Sequence, residues 1–185
     1  THIPEEVFSI GILDVEYHDR LLADLNRFSE KAGIPPQYVW SKLSSYCTDK
    51  DIPWVRKMRE GTDHGLVYVG NTGKVPVEDK MMAIAGACLR NYIDARVMTV
   101  QEVLSKLKND SMPYPTLVLV PNFCMSSTDA SGVASWQAAA LLGWLYSRLA
   151  RNLRTVLYVG SLSALESLYG EAVVRHLKAH YTFIQ

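Results

Sequence analysis

Apolar residues recur along this chain either every three to four positions or in short unbroken runs, and the two patterns alternate. Between about Asp14 and Lys31, Val15, Leu21, Leu22, Leu25 and Phe28 share one side of a helical wheel. Asp19, Arg20, Asp24, Arg27 and Glu30 lie largely on the other, which predicts an amphipathic helix. Gly33 suits its C-terminal cap, and Pro35-Pro36 stops it. The stretch Ile34 to Trp54 reads as an ordered linker anchored by the aromatic bulk of Tyr38, Trp40, Tyr46 and Trp54, and Pro53 to Glu60 as a short helix. Leu66 to Val69 is a short apolar strand. Met81, Ile84, Ala85, Cys88, Leu89 and Tyr92 then mark one buried helical face.

The second half repeats the alternation. Ala95 to Met98 is a short strand, and Thr99-Val-Gln-Glu102 has the form of a capping box ahead of Val103, Leu104 and Leu107. Asn109 to Pro115 breaks the chain, and Thr116 to Val120 is a purely apolar strand, as expected where both faces of a parallel sheet are covered. A polar loop, Ser126 to Ser135, leads to a helix over Ser135 to Asn152, with Ala138, Leu141, Leu142, Leu145 and Leu149 inward. A strand over Thr155 to Val159, helices over Ala164 to Tyr169 and Glu171 to Lys178, and a closing strand over Tyr181 to Ile184 complete the series. Strands alternating with helices predict an α/β domain with a mainly parallel sheet.

Between the first strand and the helix after it lies Gly70-Asn-Thr-Gly-Lys74. Strand, glycine turn and helix form the layout of a phosphate-binding loop, in which backbone N–H groups and a helix N-terminus face an anion. The nucleotide version has the form G-x-x-x-x-G-K-[ST], with a lysine for the phosphates and a hydroxyl for Mg²⁺. Counted from Gly70, the glycine, lysine and hydroxyl places hold Val75, Pro76 and Val77. Lys74 comes two residues before the lysine place.

From Ala32 onward, roughly five-sixths of its length, the chain resembles the AAA+ domain of the DnaC/IstB type, the bacterial helicase loaders and transposition ATPases. The resemblance rests on Ala32-Gly-Ile-Pro-Pro-Gln-Tyr, Gly65-Leu-Val-Tyr-Val-Gly-Asn-Thr-Gly, Met98-Thr-Val-Gln-Glu-Val-Leu-Ser-Lys-Leu and Gly170-Glu171, in that order. It implies a P-loop three-layer sandwich, with an N-terminal helix and linker over residues 1–60 and a degenerate AAA+-like core over 61–185. Members of that family bind ATP and DNA, assemble side by side, and deliver a replicative helicase or assist a transposase.

Set against that pattern, the working positions are substituted. The acidic pair expected after Thr116 to Val120, which would orient Mg²⁺ and the attacking water, is Pro121 and Asn122. The sensor asparagine position after Thr155 to Val159 is Ser161. The arginine that would follow Gly-Glu is Ala172, with Arg175 one turn on as the candidate substitute. Loss of an arginine finger alone costs about 10³ to 10⁵ in rate. The expectation is therefore a protein that is not an ATPase and needs no cofactor, with weak ATP or anion affinity at Gly70, Asn71, Thr72, Gly73 and Lys74 left open. An active but divergent ATPase using Lys74, with Asp79, Asp129 or a partner chain as the acid, is the alternative.

Composition adds limits. The 185 residues carry nineteen basic and nineteen acidic side chains, so a global basic coat for nucleic acid is excluded, though a local patch is not. Two local clusters could follow a DNA backbone: Arg56, Lys57 and Arg59 before the core, and Arg148, Arg151 and Arg154 at the end of the long helix. Cys47, Cys88 and Cys124 are widely spaced and lack a C-x-x-C pair, which argues against a metal site or a disulfide framework. His18, His64, His176 and His180 read as surface histidines, although His176 and His180 have the i, i+4 spacing of metal ligands. A nucleophile arrangement of Cys124, a histidine and Asp129 lacks the glycine-flanked elbow that would present it. Trp136 and Trp144 read as core or interface. With no long apolar run or signal segment, the reading is a cytoplasmic protein that meets a protein partner such as a replicative helicase, and single-stranded DNA, in a homo- or hetero-oligomer. A purely structural subunit of an ATPase assembly fits as well.

Overall fold

Strand residues alternate between two separate cores, and that alternation builds three layers. A computed structural model describes residues 15–59, 64–71, 73–91, 93–125 and 135–185. Strands β1 (Gly65–Val69), β2 (Ala95–Val97), β3 (Leu117–Cys124), β4 (Arg154–Val159) and β5 (Tyr181–Ile184) form one sheet in the order β2-β3-β4-β1-β5. All of its described pairings are parallel. Leu66 and Tyr68 of β1, Leu117 and Leu119 of β3, and Val156 and Tyr158 of β4 enter one core. Their neighbours Val67, Val118, Val120, Leu157 and Val159 enter the other, the period of two that a pleated strand requires.

Helices α1 (Val15–Ala23), α2 (Leu25–Ala32), α3 (Ile52–Arg56) and α4 (Val77–Arg90) contribute to the first core, with α4 buried along most of its length. Helices α5 (Val100–Lys108), α6 (Ser135–Ala150), α7 (Leu162–Tyr169) and α8 (Glu171–His180) contribute to the second. This is the expected α/β sandwich. None of its described helices is long and apolar enough to cross a membrane.

Several boundaries differ from the sequence expectation. The first helix is two, because Asp24 takes φ −111° and ψ 20° between α1 and α2. Leu22, expected inward, is exposed. The linker contains two 3₁₀ turns, Pro36–Val39 and Leu43–Ser45, and its Tyr38, Val39, Leu43 and Trp54 are core residues. Residues on both sides of position 60 therefore share one core. Gly86 makes that packing possible, since a Cβ there would sit 2.0 Å from the Tyr38 carbonyl oxygen. The buried Arg90 ties the two parts further by donating to the Val39 carbonyl. The short helix expected over Pro53 to Glu60 is α3 followed by a 3₁₀ turn, Lys57–Arg59. Strand β3 continues past Pro121, which has no N–H for the ladder, by shifting register. Val120 pairs with Leu157 and Cys124 with Val159. Thr99 caps α5 as expected, its hydroxyl accepting from the Glu102 N–H at 3.2 Å, and Glu102 accepts from that hydroxyl at 3.3 Å. The loop expected over Ser126 to Ser135 lies outside the described residues apart from its last, and so do Tyr92 and Glu60.

Candidate functional site

The glycine turn leaves the C-terminal end of β1, beside β4, as a phosphate-binding loop would. Gly70 adopts φ +67°, a conformation that favours glycine, and its N–H donates to the Val159 carbonyl at 2.8 Å. Asn71, Gly73 and Lys74 are exposed, and Thr72 lies outside the described residues. Pro76 stands at the N-cap of α4 in extended conformation, so it brings neither a side-chain cap nor an N–H. The first turn of α4 carries Glu78 and Asp79, whose carboxylates complement the positive end of the helix. Asp79 also accepts a hydrogen bond from the Tyr38 hydroxyl at 2.9 Å, and Tyr38's pKa is pushed up to about 12 by burial and by that carboxylate. The two acids follow directly on Pro76 and Val77, so the start of α4 carries negative side chains.

Asn122, where the resemblance implies the second acid of the pair, has another task. The Asn122 side-chain oxygen accepts from the Val100 N–H at 2.8 Å, and its amide donates to Gln101 at 2.8 Å. The side chain thus satisfies a first-turn donor of α5 and fastens that helix to β3. Ser161, at the sensor position, caps α7 by accepting from the Ala164 N–H at 3.1 Å. Arg175 pairs with Glu171 at 3.0 Å on an exposed face of α8. Gly160 lets the end of β4 pass close to Met125, whose carbonyl oxygen would lie 2.2 Å from a Cβ.

Next to the glycine turn the structure assembles a cluster that the linear sequence did not reveal. Asp51 is fully buried. One carboxylate oxygen accepts from the Thr48 N–H at 2.6 Å and the Thr48 hydroxyl at 3.0 Å. The other accepts from the Tyr68 hydroxyl at 2.9 Å and from the Lys80 ammonium at 3.3 Å. Lys80 is 6% exposed, so this ion pair is a buried one. Burial, followed by the Asp51 charge, pushes the Tyr68 hydroxyl far above its ordinary range, and the same two causes raise Cys47 to about 12. A cavity of about 340 Å³ opens beside Lys80, lined also by Thr48, Asp49, Lys50, Gly73 and Ile184. The available signal was Lys80 itself, a lysine on the same apolar stripe as Val77, Met81 and Ile84.

The expected basic clusters divide. Arg148 and Arg154 are buried, which corrects their reading as DNA contacts. Arg148 Nε donates to the Thr155 hydroxyl at 2.9 Å, and its Nη2 reaches the carbonyls of Pro115 at 3.0 Å, Thr116 at 3.4 Å and Arg154 at 2.6 Å. Burial lowers its pKa to about 10. Arg151 is exposed and stacks on the Tyr114 ring at 3.7 Å. Arg56 and Lys57 are exposed at the end of α3, and the side chain of Arg59 lies outside the described residues.

Other candidates fall into place similarly. His176 is 3% exposed rather than a surface residue, packed 5.0 Å from the His180 ring and 4.4 Å from Tyr146. Cys124 is buried, and the Asp129 proposed beside it lies outside the described residues, as does the His18 side chain. Trp144 is core, whereas Trp136 is 58% exposed at the rim of a larger cavity of about 490 Å³ between α5, α6 and α7.

No family model and no curated protein matches the chain. Among solved structures it is similar to a replication initiator DnaA bound to AMPPCP and single-stranded DNA, with TM-score 0.60 and 9% identity over 82% of this chain and 50% of that one. It is also similar to the DnaC helicase loader, with TM-score 0.58 and 16% identity over 80% of this chain and 97% of that one. A third is DnaI, with TM-score 0.56 and 16% identity over 82% and 90%. The chain spans about half the length of the initiator. These likenesses show that the chain shares the α/β fold of those replication proteins.

Proposed function

We propose that this AAA+ fold serves as a catalytically inactive, helicase-loader-like scaffold or adaptor in DNA replication or mobile-element biology. Its partners are a protein such as a replicative helicase, and single-stranded DNA. The observation that carries the reading is Asn122. The place of the water-positioning acid is held by an amide whose oxygen and nitrogen both serve α5. Pro76 and Val77 in the lysine and hydroxyl places, and Glu78 and Asp79 at the helix N-terminus, support it. An acid is needed to position the attacking water, and an asparagine engaged elsewhere does not replace it; Pro121, in the Mg²⁺-orienting place, has no side-chain ligand to offer.

Phosphate release from Mg·ATP, measured with and without single-stranded DNA, tests the proposal, with no turnover above background expected. Turnover abolished by Lys74→Ala would instead establish a divergent ATPase. For DNA, Arg151, Arg56 and Lys57 supply the exposed charge. Replacing one such contact with alanine is expected to weaken binding across sequences and reduce the salt slope by about 0.7 per contact. Binding that is absent at low salt favours a structural subunit of an ATPase assembly, without DNA.

A further inference from the structure

We infer that Asp51 is a resident anion that occupies, from within the chain, the cation beside the vestigial phosphate loop, and that vacating it opens a site for inorganic phosphate or pyrophosphate on Lys80. The inference rests on the reading above, that this loop no longer works on ATP. Lys80 lies one helical turn beyond Pro76, the place of the absent phosphate lysine, so both rise from the same face of α4. Its side chain is 8% exposed, and its ammonium meets the Asp51 carboxylate at 3.3 Å. That carboxylate carries the ligand set of a bound oxyanion: a backbone N–H and a hydroxyl from Thr48, the Tyr68 phenol and an ammonium. The cavity of about 340 Å³ alongside is lined by a second lysine, Lys50, by the loop's own Gly73 and by one acid, Asp49. It has room for waters or for a phosphate group.

A buried ammonium needs a counter-charge, because the desolvation cost of an unpaired ion is several kcal/mol. In a nucleotide-binding loop a phosphate supplies that charge. Here residue 51 supplies it from the linker, which stitches Thr48–Asp51 to β1 and α4 without a ligand. The same carboxylate repels any anion approaching Lys80, so the native cavity excludes phosphate although it offers two lysines.

The test is pyrophosphate titration at constant ionic strength, followed by thermal shift and by calorimetry, on the native protein, Asp51→Asn and Asp51→Asn/Lys80→Met. Asn keeps the size and an acceptor for Thr48 while removing the charge. The expected result is at least about a tenfold gain in pyrophosphate affinity for Asp51→Asn over the native chain, lost again in the double variant. Asp51→Asn that folds and binds pyrophosphate no better than the native protein overturns the inference and leaves the functional proposal standing. If Asp51→Asn does not fold alone, refolding with excess pyrophosphate decides: rescue by the anion, but not by chloride at equal ionic strength, supports the inference, and failure to rescue overturns it. Mg·ATP turnover by the native chain would instead bring down the functional proposal.

Discussion

Replacing Arg148 with alanine separates a structural cation from a DNA-binding one. The guanidinium joins α6 to the chain entering β3 and to the first residues of β4 through four hydrogen bonds, three of them to carbonyls. A hydrogen bond to a charged group contributes about 1.5–3 kcal/mol, and a buried acceptor left without its donor costs about 1–3 kcal/mol. The contributions do not add, because the four share one side chain. They are also offset by the desolvation that lowers the pKa of Arg148 to about 10. A net loss of about 3 kcal/mol is therefore expected for Arg148→Ala. Arg148→Met, which keeps much of the apolar stem, should lose about 2 kcal/mol. Urea unfolding followed by tryptophan fluorescence and circular dichroism reads the loss as a lower midpoint at unchanged slope. In a domain of this size the melting temperature of Arg148→Ala should fall by about 6–12 °C. The DNA affinity of the folded fraction should not change. A variant as stable as the native protein to within about 0.5 kcal/mol, with weakened and less salt-dependent DNA binding, would refute the reasoning and return Arg148 to the surface.

Two further predictions concern packing and pH. Burial, and secondarily the charge of His180, hold the pKa of His176 below its ordinary 6.5. The unfolded chain therefore binds a proton that the folded chain resists, so stability should decline as pH falls below about 6.5 and not above it. His176→Phe should flatten that part of the pH–stability curve, and an unchanged slope would exclude His176 as its source. Gly86→Ala, despite alanine's better helix propensity, should destabilise by about 2 kcal/mol or more, because its Cβ would meet the Tyr38 carbonyl oxygen at 2.0 Å. A neutral or stabilising result in chemical denaturation would show that the linker yields.

Much of the fold was legible because strands buried on both faces and helices with one buried face leave different periods in a sequence. The runs in β1, β3 and β4 and the α4 stripe Met81, Ile84, Ala85 and Cys88 are of this kind. Charge was legible only as composition. Arg148 was grouped with Arg151 as a basic surface, yet it continues the inward line Leu141, Leu145, Arg148, and position on the stripe outweighed polarity. His176 sits likewise between Val173 and Leu177. The glycine turn and the substituted motif positions could be counted off directly, since they are local. The Asp51–Lys80 pair could not, because its partners are 29 residues apart and no local pattern relates a turn in the linker to the first turns of α4. Pro121 suggested the end of a strand, and a shift in register allowed the strand to continue instead.

The bond network of Asn122 also bears on what an acid at that position would do. An aspartate there could still accept from Val100 but would have no proton to offer Gln101, and a glutamate would have to bend to reach either. Restoring the acid alone would loosen α5 while Pro76 and Val77 still withheld a phosphate grip. Under the proposed function, turnover would therefore require compensating changes around α5 as well as at Pro76 and Val77.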